Sequence, residues 1–313
     1  MIGKALITGA GGFVGKRLTA HLLSEGWEVV CSGFPSGDGM LPCDVTDPAS
    51  IEALLAQAQG ITHVFHLGAI AFVPDANQNP TRAMDVNLNG TINLCQALQK
   101  LSPSPRLIFI GSAEAYGIPV FLPMTEEHPL NPNNVYSISK AAADHYCACL
   151  SRTGALDIVR MRPFNHSGPG QSDQFVLSSF ARQIAEIEAG QADAVVRVGN
   201  LDAARDFLHV DDVLRAYAAV ALQAPAGEVY NVCANRGYKI QEALDRLLSL
   251  SSVAIRVEQD PARLRPSDVP EVRGSHDKLT AATGWQPEIE FNDLLASLLA
   301  YWRDTVSGGT ENA

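Results

Sequence analysis

Clustered basic residues, paired cysteine motifs and long apolar runs are all missing from this sequence. Its 313 residues carry a formal net charge of −11, and without runs of Lys and Arg a chain cannot neutralise a phosphate backbone, which excludes a general nucleic-acid binder. No apolar run approaches the ~20 residues of a membrane helix, and "MIGKALITGAGG" lacks the basic and then apolar order of a signal peptide. We therefore expect a cytoplasmic protein that binds neither nucleic acid nor membrane.

The six cysteines form no C-x-x-C pair and have no neighbouring histidines at zinc-ligand spacing. This distribution is typical of buried free thiols in a reducing compartment and predicts no metal site. Two of the cysteines are two positions apart in a predicted helix, so their side chains diverge. The cysteines are Cys31, Cys43, Cys95, Cys147, Cys149 and Cys233.

Short apolar runs alternate with amphipathic segments in the first half of the chain. Segments such as "FVGKRLTAHLLSEG" and "NLNGTINLCQALQKL" have helical periodicity. The runs between them have strand character: "KALIT", "WEVVCS", "THVFHLG", "RLIFIGS" and "LDIVRMR". Apolar strands separated by helices are typical of a parallel sheet that helices cover on both faces.

The pattern changes after "MRPFNHSGPGQ" to a helix, "FVLSSFARQIAEIEAG", followed by short strands and turns. We expect residues 1–165 to form a nucleotide-binding domain and residues 166–313 mainly a smaller mixed α/β lobe, with part of 200–232 returning to the first domain. Near the end, "FNDLLASLLAYWRDT" predicts an amphipathic helix and "VSGGTENA" a frayed tail.

The stretch "TGAGGFVG" stands between the first predicted strand and the first predicted helix. Glycines such as Gly9, Gly12 and Gly15 are needed where the backbone approaches a pyrophosphate and where a helix packs closely on a strand, and the helix N-terminus offers N–H groups to the anion. This position in the first βαβ unit favours a dinucleotide site over a plain tight turn. It predicts a Rossmann-type doubly wound parallel sheet.

The second predicted strand ends in "CSGF", where an acidic residue would hold the adenosine ribose and favour NAD. Ser32 and Gly33 leave room there for a 2′-phosphate, which favours NADP(H) modestly over NAD(H). Lys16 and Arg17 are either partners for that phosphate or solvated cations. Asp44 either accepts a hydrogen bond from the adenine amino group or caps the helix that follows.

"VYSISK" places Tyr136 and Lys140 four residues apart, on one face of a predicted helix. An ammonium beside a phenol, helped by an oxidised nicotinamide, lowers the tyrosine pKa, so that Tyr136 can exchange a proton with a sugar oxygen. Ser112, after "RLIFIG", can hydrogen-bond the same oxygen. By itself, a Tyr and a Lys at this spacing are also a common surface pair.

Together these motifs resemble the extended short-chain dehydrogenase/reductases over nearly the whole chain, with "HLGA", "NLNGTIN" and "GSAEAYG" as further points of likeness. The resemblance implies NAD(P)-dependent hydride transfer at a sugar hydroxyl carbon, with Ser112, Tyr136 and Lys140 as catalytic residues. Asn87 is then a structural and cofactor-side residue, or simply a residue at a helix start. The cofactor contacts implied are Gly9, Gly12, Phe13, Val14, Gly15, Ser32, Asp44, Val45, Leu67, Gly68, Ala69, Asn87, Tyr136 and Lys140.

Within that family, "RPFNHSGPGQSDQFVLSSFARQIA" and "DPARLRPSDVP" look like segments of the GDP-4-keto-6-deoxy-mannose reductases. The expected reaction is reduction of a C4 ketone to give GDP-D-rhamnose. Glu114 keeps the alternative open, because in related GDP-mannose 4,6-dehydratases a glutamate at this place removes a proton next to the transient ketone. A non-catalytic cofactor-binding regulator on the same fold is disfavoured, because the three catalytic residue types are all present.

A GDP-sugar carries about two negative charges that require charge-assisted donors. Arg205 and Arg265 are the candidate cations, although either one could instead pair with a neighbouring acid, Asp206 or Asp268. Asp211 and Asp212 fit a helix N-cap better than catalysis. The resemblance further suggests a homodimer through helices of the "AAADHYCACL" kind. The substrate-binding residues it implies are Asn165, Val176, Arg182, Arg205, Arg265 and Asp268.

Overall fold

The computed structural model describes residues 2–37, 39–263 and 269–308. Within them the strands are β1 Lys4–Thr8, β2 Glu28–Gly33, β3 Leu41–Pro42, β4 His63–His66, β5 Arg106–Ile110, β6 Ile158–Pro163, β7 Asn165–Ser167, β8 Val195–Val198, β9 Ala204–His209, β10 Val229–Val232, β11 Gly237–Lys239, β12 Arg256–Gln259 and β13 Glu271–Val272. The helices are α1 Phe13–Ser24, α2 Pro48–Gln57, α3 Val73–Gln78, α4 Pro80–Met84, α5 Gly90–Leu98, α6 Val135–Arg152, α7 Val176–Glu188, α8 Val210–Gln223, α9 Ile240–Ser249, α10 Asp277–Thr283 and α11 Phe291–Gly308.

Seven parallel strands form the central sheet in the order β10-β6-β5-β4-β1-β2-β3. The chain builds outward from β1 in one direction through β2 and β3, and in the other through β4, β5 and β6, so the strand order reverses between β1 and β4. A reversal of this kind opens a crevice at the carboxyl ends of the strands. The predicted Rossmann-type doubly wound sheet is confirmed.

Alternate side chains of each strand face opposite layers of helices, because side chains in a strand have a period of two. In β1, Ala5 and Ile7 pack into a core with α1 and α8. Leu6, between them, packs into the second core, with α2, α5 and α6. Burial on both faces explains why these strands are continuous apolar runs rather than alternating ones.

The smaller lobe has its own core, in which α7, α9 and α11 pack on one another and against β8. Its main sheet has the order β11-β9-β13, with β7 also paired to β9, and a separate parallel pair joins β8 to β12. Between α8 and β11 the chain returns to the large sheet, where β10 pairs in parallel with β6.

Several local features differ from the sequence prediction. The segment predicted to be a helix from Asn87 begins earlier as a π-helical turn, Asp85–Asn89, which leads into α5. The predicted tail is still helical at its start, because α11 continues to Gly308. None of the helices that the structure describes combines the length and the hydropathy that crossing a membrane requires.

Candidate active site

A cleft of about 1630 Å³ lies at the carboxyl ends of β1, β4, β5 and β6 and is closed on its other side by the lobe. Seventeen of the predicted site residues line it: Gly9, Gly12, Phe13, Val14, Gly15, Asp44, Val45, Leu67, Gly68, Ala69, Ser112, Glu114, Tyr136, Lys140, Asn165, Val176 and Arg205. The cleft therefore brings together residues that are up to 196 positions apart in the chain, from Gly9 to Arg205.

The three glycines of the loop before α1 are constrained in different ways. Gly9 has a φ of +72°, and a Cβ there would lie 2.8 Å from the backbone nitrogen of Gly68. A Cβ on Gly15 would lie 2.3 Å from the carbonyl oxygen of Gly9, so packing alone requires both of these glycines. A Cβ on Gly12 would meet its nearest atom at 3.4 Å, an ordinary contact, so packing does not require a glycine there.

Gly12 is the N-cap of α1, where no side chain caps the helix and the first turn carries no acidic residue. A helix start without a side-chain cap or acid leaves backbone N–H groups and the positive end of the helix dipole directed at the cleft. The loop therefore fits a dinucleotide pyrophosphate, since a Cβ on Gly12 would stand where the backbone must approach it.

Asp44 lines the cleft but does not cap the next helix. Its Oδ1 accepts hydrogen bonds from the Thr46 backbone N–H at 2.9 Å and the Thr46 hydroxyl at 2.7 Å. Asp47 is the N-cap of α2, where its carboxylate accepts from the Ala49 N–H. Of the two sequence interpretations of Asp44, the cap is wrong and the adenine contact stays a prediction.

The structure does not support the direct cofactor contacts predicted for Ser32 and Arg17. Ser32 is fully buried and its hydroxyl donates to the Ile7 carbonyl, because it lies on the strand face turned toward the core; Gly33 lines the cleft instead. The Arg17 guanidinium pairs with the Asp211 carboxylate at 2.6 Å and donates to the Pro169 carbonyl at 3.0 Å. Arg17 thus ties α1 to the start of α8 and to the loop after β7.

Asn87 is buried and is not part of the cleft wall. Its side-chain amide bonds both backbone groups of Ile70, at 2.8 and 3.1 Å, and donates to the Ser139 hydroxyl at 2.9 Å. It therefore ties the loop after β4 to α6. These bonds agree with the structural role predicted for Asn87, and both ends of its amide are used inside the protein. The direct cofactor contact predicted for Asn87 stays a prediction that these bonds do not favour.

Ser112 and Tyr136 meet in the cleft from two different elements. Ser112 follows β5 and caps the 3-10 turn Ala113–Tyr116, where its hydroxyl oxygen accepts from the Glu114 N–H at 3.1 Å. Tyr136 lies in the first turn of α6, which a reciprocal Asn134–Ser137 capping box fixes. Burial raises the pKa of Tyr136 to about 12, opposed by a hydrogen bond with Ser112 and increased by the Glu114 carboxylate.

The expected lowering of the Tyr136 pKa by Lys140 is therefore wrong for the protein alone. Lys140 Nζ donates to the Ile110 carbonyl at 2.5 Å and lies 5.0 Å from the centre of the Phe109 ring. Burial lowers the pKa of Lys140 to about 8, so its ammonium is still mostly protonated at neutral pH. A protonated tyrosine and a nearby cation are the states needed for giving a proton to a developing alkoxide.

The substrate side of the cleft contains Asn165, Val176 and Arg205. The Arg205 Nη1 donates to the carbonyls of Ala204 at 2.8 Å and Val269 at 2.7 Å. Asp206, the next residue of β9, accepts instead from the backbone N–H groups of Ala234 and Gly274. Arg205 therefore does not depend on Asp206 for its position.

Arg182 does not line the cleft. It pairs with Asp173 and Glu186, and its guanidinium lies over the Trp302 ring. These contacts do not favour the predicted substrate contact of Arg182, which stays a prediction. Arg265 and Asp268 lie outside the described residues.

Sequence reasoning missed two cleft-lining cations, Arg82 from α4 and Arg263 from the turn after β12. Arg263 donates to the Ser179 hydroxyl at 3.1 Å. Neither arginine belongs to a glycine motif or a catalytic motif. For Arg263 the sequence offered one signal, the first arginine of "DPARLRP", to which no role was assigned.

Asp211 and Asp212 lie in the first turn of α8, whose N-cap is His209. Among the described residues no group of His, Cys, Asp and Glu side chains could hold a metal ion.

The cysteines are all free, as expected, although only four of the six are buried. Cys31 is half-buried and Cys149 is exposed.

The sequence profile of the NAD dependent epimerase/dehydratase family matches residues 5–233, nearly three quarters of the chain. The chain belongs to this family. The resemblance read from the motifs is thereby confirmed. Members of this family are NAD(P)-dependent enzymes.

Individual relatives cover almost the whole chain. It is 38% identical over 308 residues to a GDP-6-deoxy-D-mannose reductase of Pseudomonas aeruginosa, covering 98% of this chain and 99% of the relative. It is 29% identical to a GDP-6-deoxy-D-talose 4-dehydrogenase of Aggregatibacter actinomycetemcomitans, covering 90% and 91%. The structure of RMD from Pseudomonas aeruginosa complexed with NADPH superposes with a TM-score of 0.88 at 37% identity, covering 97% and 99%.

Proposed function

We propose that this protein reduces the C4 ketone of GDP-4-keto-6-deoxy-D-mannose to give GDP-D-rhamnose, with NADPH as the reductant. The observation that carries the proposal is that Ser112, Tyr136 and Lys140 line one cleft in a chain that is 38% identical over 98% of its length to a GDP-6-deoxy-D-mannose reductase. The bound dinucleotide supplies the hydride that C4 accepts.

The side chains of the cleft supply the proton and hold the ketone. The pKa of Tyr136, raised to about 12 mainly by burial, keeps the phenol protonated at neutral pH and ready to donate to the C4 oxygen. The Ser112 hydroxyl accepts from the Glu114 N–H, which leaves its own proton to donate to the same oxygen. The Lys140 ammonium stabilises the phenolate that Tyr136 becomes.

The nucleotide-sugar diphosphate needs cations on the lobe side of the cleft. Arg205 and Arg263 both line this wall. Backbone carbonyls hold the Arg205 guanidinium, and the Ser179 hydroxyl and the Asp260 carboxylate, at 3.5 Å, hold that of Arg263. Guanidinium groups bind phosphate oxygens with two parallel hydrogen bonds, which suits a diphosphate. Asn165 and Val176 complete the part of this wall that the sequence predicted.

Preference for NADPH over NADH is part of the proposal. Gly33 and Phe34, at the end of β2, line the cleft without offering a carboxylate to the ribose. Arg82 also lines the cleft. A guanidinium that faces the cleft is a suitable partner for a cofactor phosphate.

Glu114 supports a second candidate, a GDP-mannose 4,6-dehydratase. Its carboxylate lines the cleft two residues after Ser112, and Asn134 Nδ2 donates to its Oε2 at 3.5 Å. A carboxylate in this place can remove a proton next to a transient C4 ketone. In that reaction the dinucleotide is reduced and reoxidised within one turnover.

A paired assay tests both candidates. Purified protein receives GDP-4-keto-6-deoxy-D-mannose with NADPH or NADH, and GDP-mannose without added cofactor; nicotinamide absorbance and the sugar products are followed. Stoichiometric NADPH oxidation with GDP-D-rhamnose as product is the expected result. A GDP-6-deoxy-D-talose product would overturn the C4 stereochemistry, and conversion of GDP-mannose to the 4-keto sugar, lost in E114Q, would favour the dehydratase.

We propose a homodimer that pairs through α6. Ile138, Ala142, His145 and Cys149 are at least partly exposed and follow a 4-3-4 spacing typical of a helix-pairing seam. Ile138 is 45% exposed although it is apolar. I138E should shift the mass measured by light scattering from dimer to monomer, whereas L222E, on the exposed side of α8, should not; a monomeric wild type would contradict the proposal.

A further inference from the structure

A buried ionic network lies directly behind the catalytic pair. Asp144 is on α6, one helical turn after Lys140, and its side chain is 1% exposed. Arg162 of β6 donates to both carboxylate oxygens of Asp144, each at 2.9 Å, and Arg160 donates to one of them at 2.8 Å. A carboxylate held by two guanidinium groups in a protein interior is fixed in place, because any movement breaks charge-assisted bonds.

The same network reaches the turn that carries Ser112. Arg162 Nη1 donates to the Tyr116 hydroxyl at 3.0 Å, and that hydroxyl donates to Asn231 Oδ1 at 2.7 Å. Tyr116 is the last residue of the 3-10 turn that Ser112 caps. One continuous set of bonds therefore joins four elements: α6, β6, this turn and β10.

We propose that Asp144 is a positioning residue of the catalytic centre: through Arg162 and Tyr116 it holds the helix carrying Tyr136 and Lys140 in register with the turn carrying Ser112. The inference rests on the reductase proposed above. Asp144 does not line the cleft, so it acts through Lys140 and through Ser112 rather than on the substrate.

Asp144 also acts on the charge of Lys140. Burial lowers the pKa of Lys140, and the carboxylate of Asp144 opposes this effect. Burial raises the pKa of Cys147 well above its usual value, so its neutral thiol adds no charge beside Lys140. Burial would raise the pKa of Asp144, but the bonds and charges of Arg162 and Arg160 outweigh it and keep the carboxylate ionised. His66 of β4 also faces Lys140, and because burial lowers its pKa to about 3 it is neutral at working pH.

The sign of the expected effect follows from these charges. Lys140 supports the reaction as an ammonium, so activity is present below its pKa and is lost as the pH rises through it, near pH 8 in the wild type. Asp144→Asn removes the opposing carboxylate and leaves two cations nearby, so Lys140 loses its proton at lower pH. The basic limb of kcat/KM against pH should move down by at least about half a pH unit.

Arg160→Gln should shift the basic limb of the pH profile in the opposite direction. It removes a cation whose side chain is 12% exposed and leaves the Asp144–Arg162 pair intact. With its carboxylate less neutralised, Asp144 should hold the Lys140 proton more strongly, and the basic limb should move to higher pH. Asp144→Asn leaves buried guanidinium groups without a counter-charge, so thermal melting of both variants is measured first. NADPH binding and kinetics are then measured well below the lower of the two melting temperatures.

The pH profile of turnover and the NMR titration of Lys140 together distinguish a failure of this proposal from a failure of the proposed reductase function. The pKa of Lys140 itself is followed by NMR of ¹⁵N-lysine-labelled protein, with Lys140→Arg used for assignment, and this does not depend on turnover. Opposite shifts in the two variants support the proposal. A uniform loss of rate with an unmoved limb and an unmoved Lys140 resonance would overturn it, and a wild type with normal NMR titration but no ketone reduction would overturn the proposed function instead.

Discussion

The two walls of the cleft are built in different ways. On the cofactor side the backbone forms the surface, and residue identity is set by how closely chain segments approach one another, as at Gly9 and Gly15. On the lobe side, side chains such as that of Arg205 line the cleft, and backbone carbonyl groups fix their position. The first wall leaves a sequence motif and the second leaves scattered residues, which is why one half of the site is much easier to recognise than the other.

Tyr136 lies between the cofactor wall and the lobe wall of the cleft, and Tyr136→Phe should have the largest effect on turnover. Removing the phenolic proton donor should lower kcat by about 10³-fold, within the range for a general acid, while NADPH and GDP-sugar affinities stay nearly unchanged. Stopped-flow turnover and equilibrium binding measure the two quantities. Tyr146→Phe, on the same helix, is the matched control; normal turnover in Tyr136→Phe would remove it from the mechanism.

Gly12→Ala and Gly15→Ala sharpen the account of the cofactor wall. A Cβ on Gly12 fits the protein but blocks the approach of a pyrophosphate, so NADPH affinity should fall roughly 10–100-fold with an unchanged melting temperature. A Cβ on Gly15 would lie 2.3 Å from a backbone oxygen, so this variant should melt at lower temperature. Calorimetric binding and thermal melting distinguish them, and equal destabilisation by both would break the distinction drawn here.

Arg205→Ala and Arg182→Ala compare two arginines of the lobe that the sequence treats alike. Loss of a charge-assisted diphosphate contact in Arg205→Ala should raise the KM for the GDP-sugar about 10-fold, with the NADPH affinity unchanged. Arg182 is bound by Asp173 and Glu186, so its removal should leave KM alone. Steady-state kinetics measure the KM for the GDP-sugar in both variants. A raised KM in Arg182→Ala would place that side chain in the substrate site.

Arg82→Ala should have the smallest effect, about 3–10-fold on the affinity for NADPH, because one solvent-facing cation contributes modestly to phosphate binding. The comparison of NADPH with NADH tells which phosphate it meets. A loss confined to NADPH indicates the 2′-phosphate, and an equal loss for both cofactors indicates the pyrophosphate. Unchanged binding of both would take Arg82 out of the cofactor site; Arg152→Ala, exposed at the far end of α6, serves as the control.

The sequence predicted correctly those parts of the structure in which a residue pattern has a single physical explanation. The five strands of the first half were predicted close to their observed bounds, because burial on both faces leaves apolar runs. Ser32 was assigned to the cofactor from its position at the end of a strand, and Asn87 and Arg182 were assigned to ligands from the family resemblance. The structure shows these side chains bonded inside the protein, to Ile7, Ile70 and Glu186 respectively. Some of these hydrogen-bond partners are distant in sequence, and others are no more plausible from the sequence than a ligand contact. No local sequence pattern therefore reveals them.

The return of β10 to the large sheet has a consequence for dissecting the protein. The chain leaves that sheet after β6, contributes β10 beside it, and then leaves again. A fragment ending near residue 165 would expose the edge of β6, and a fragment holding the rest would carry β10 as an apolar strand with nothing to pair with. Unpaired strand edges promote aggregation, so we expect neither half to be obtained as a well-behaved fragment, and a two-chain version should assemble only when both pieces are co-expressed.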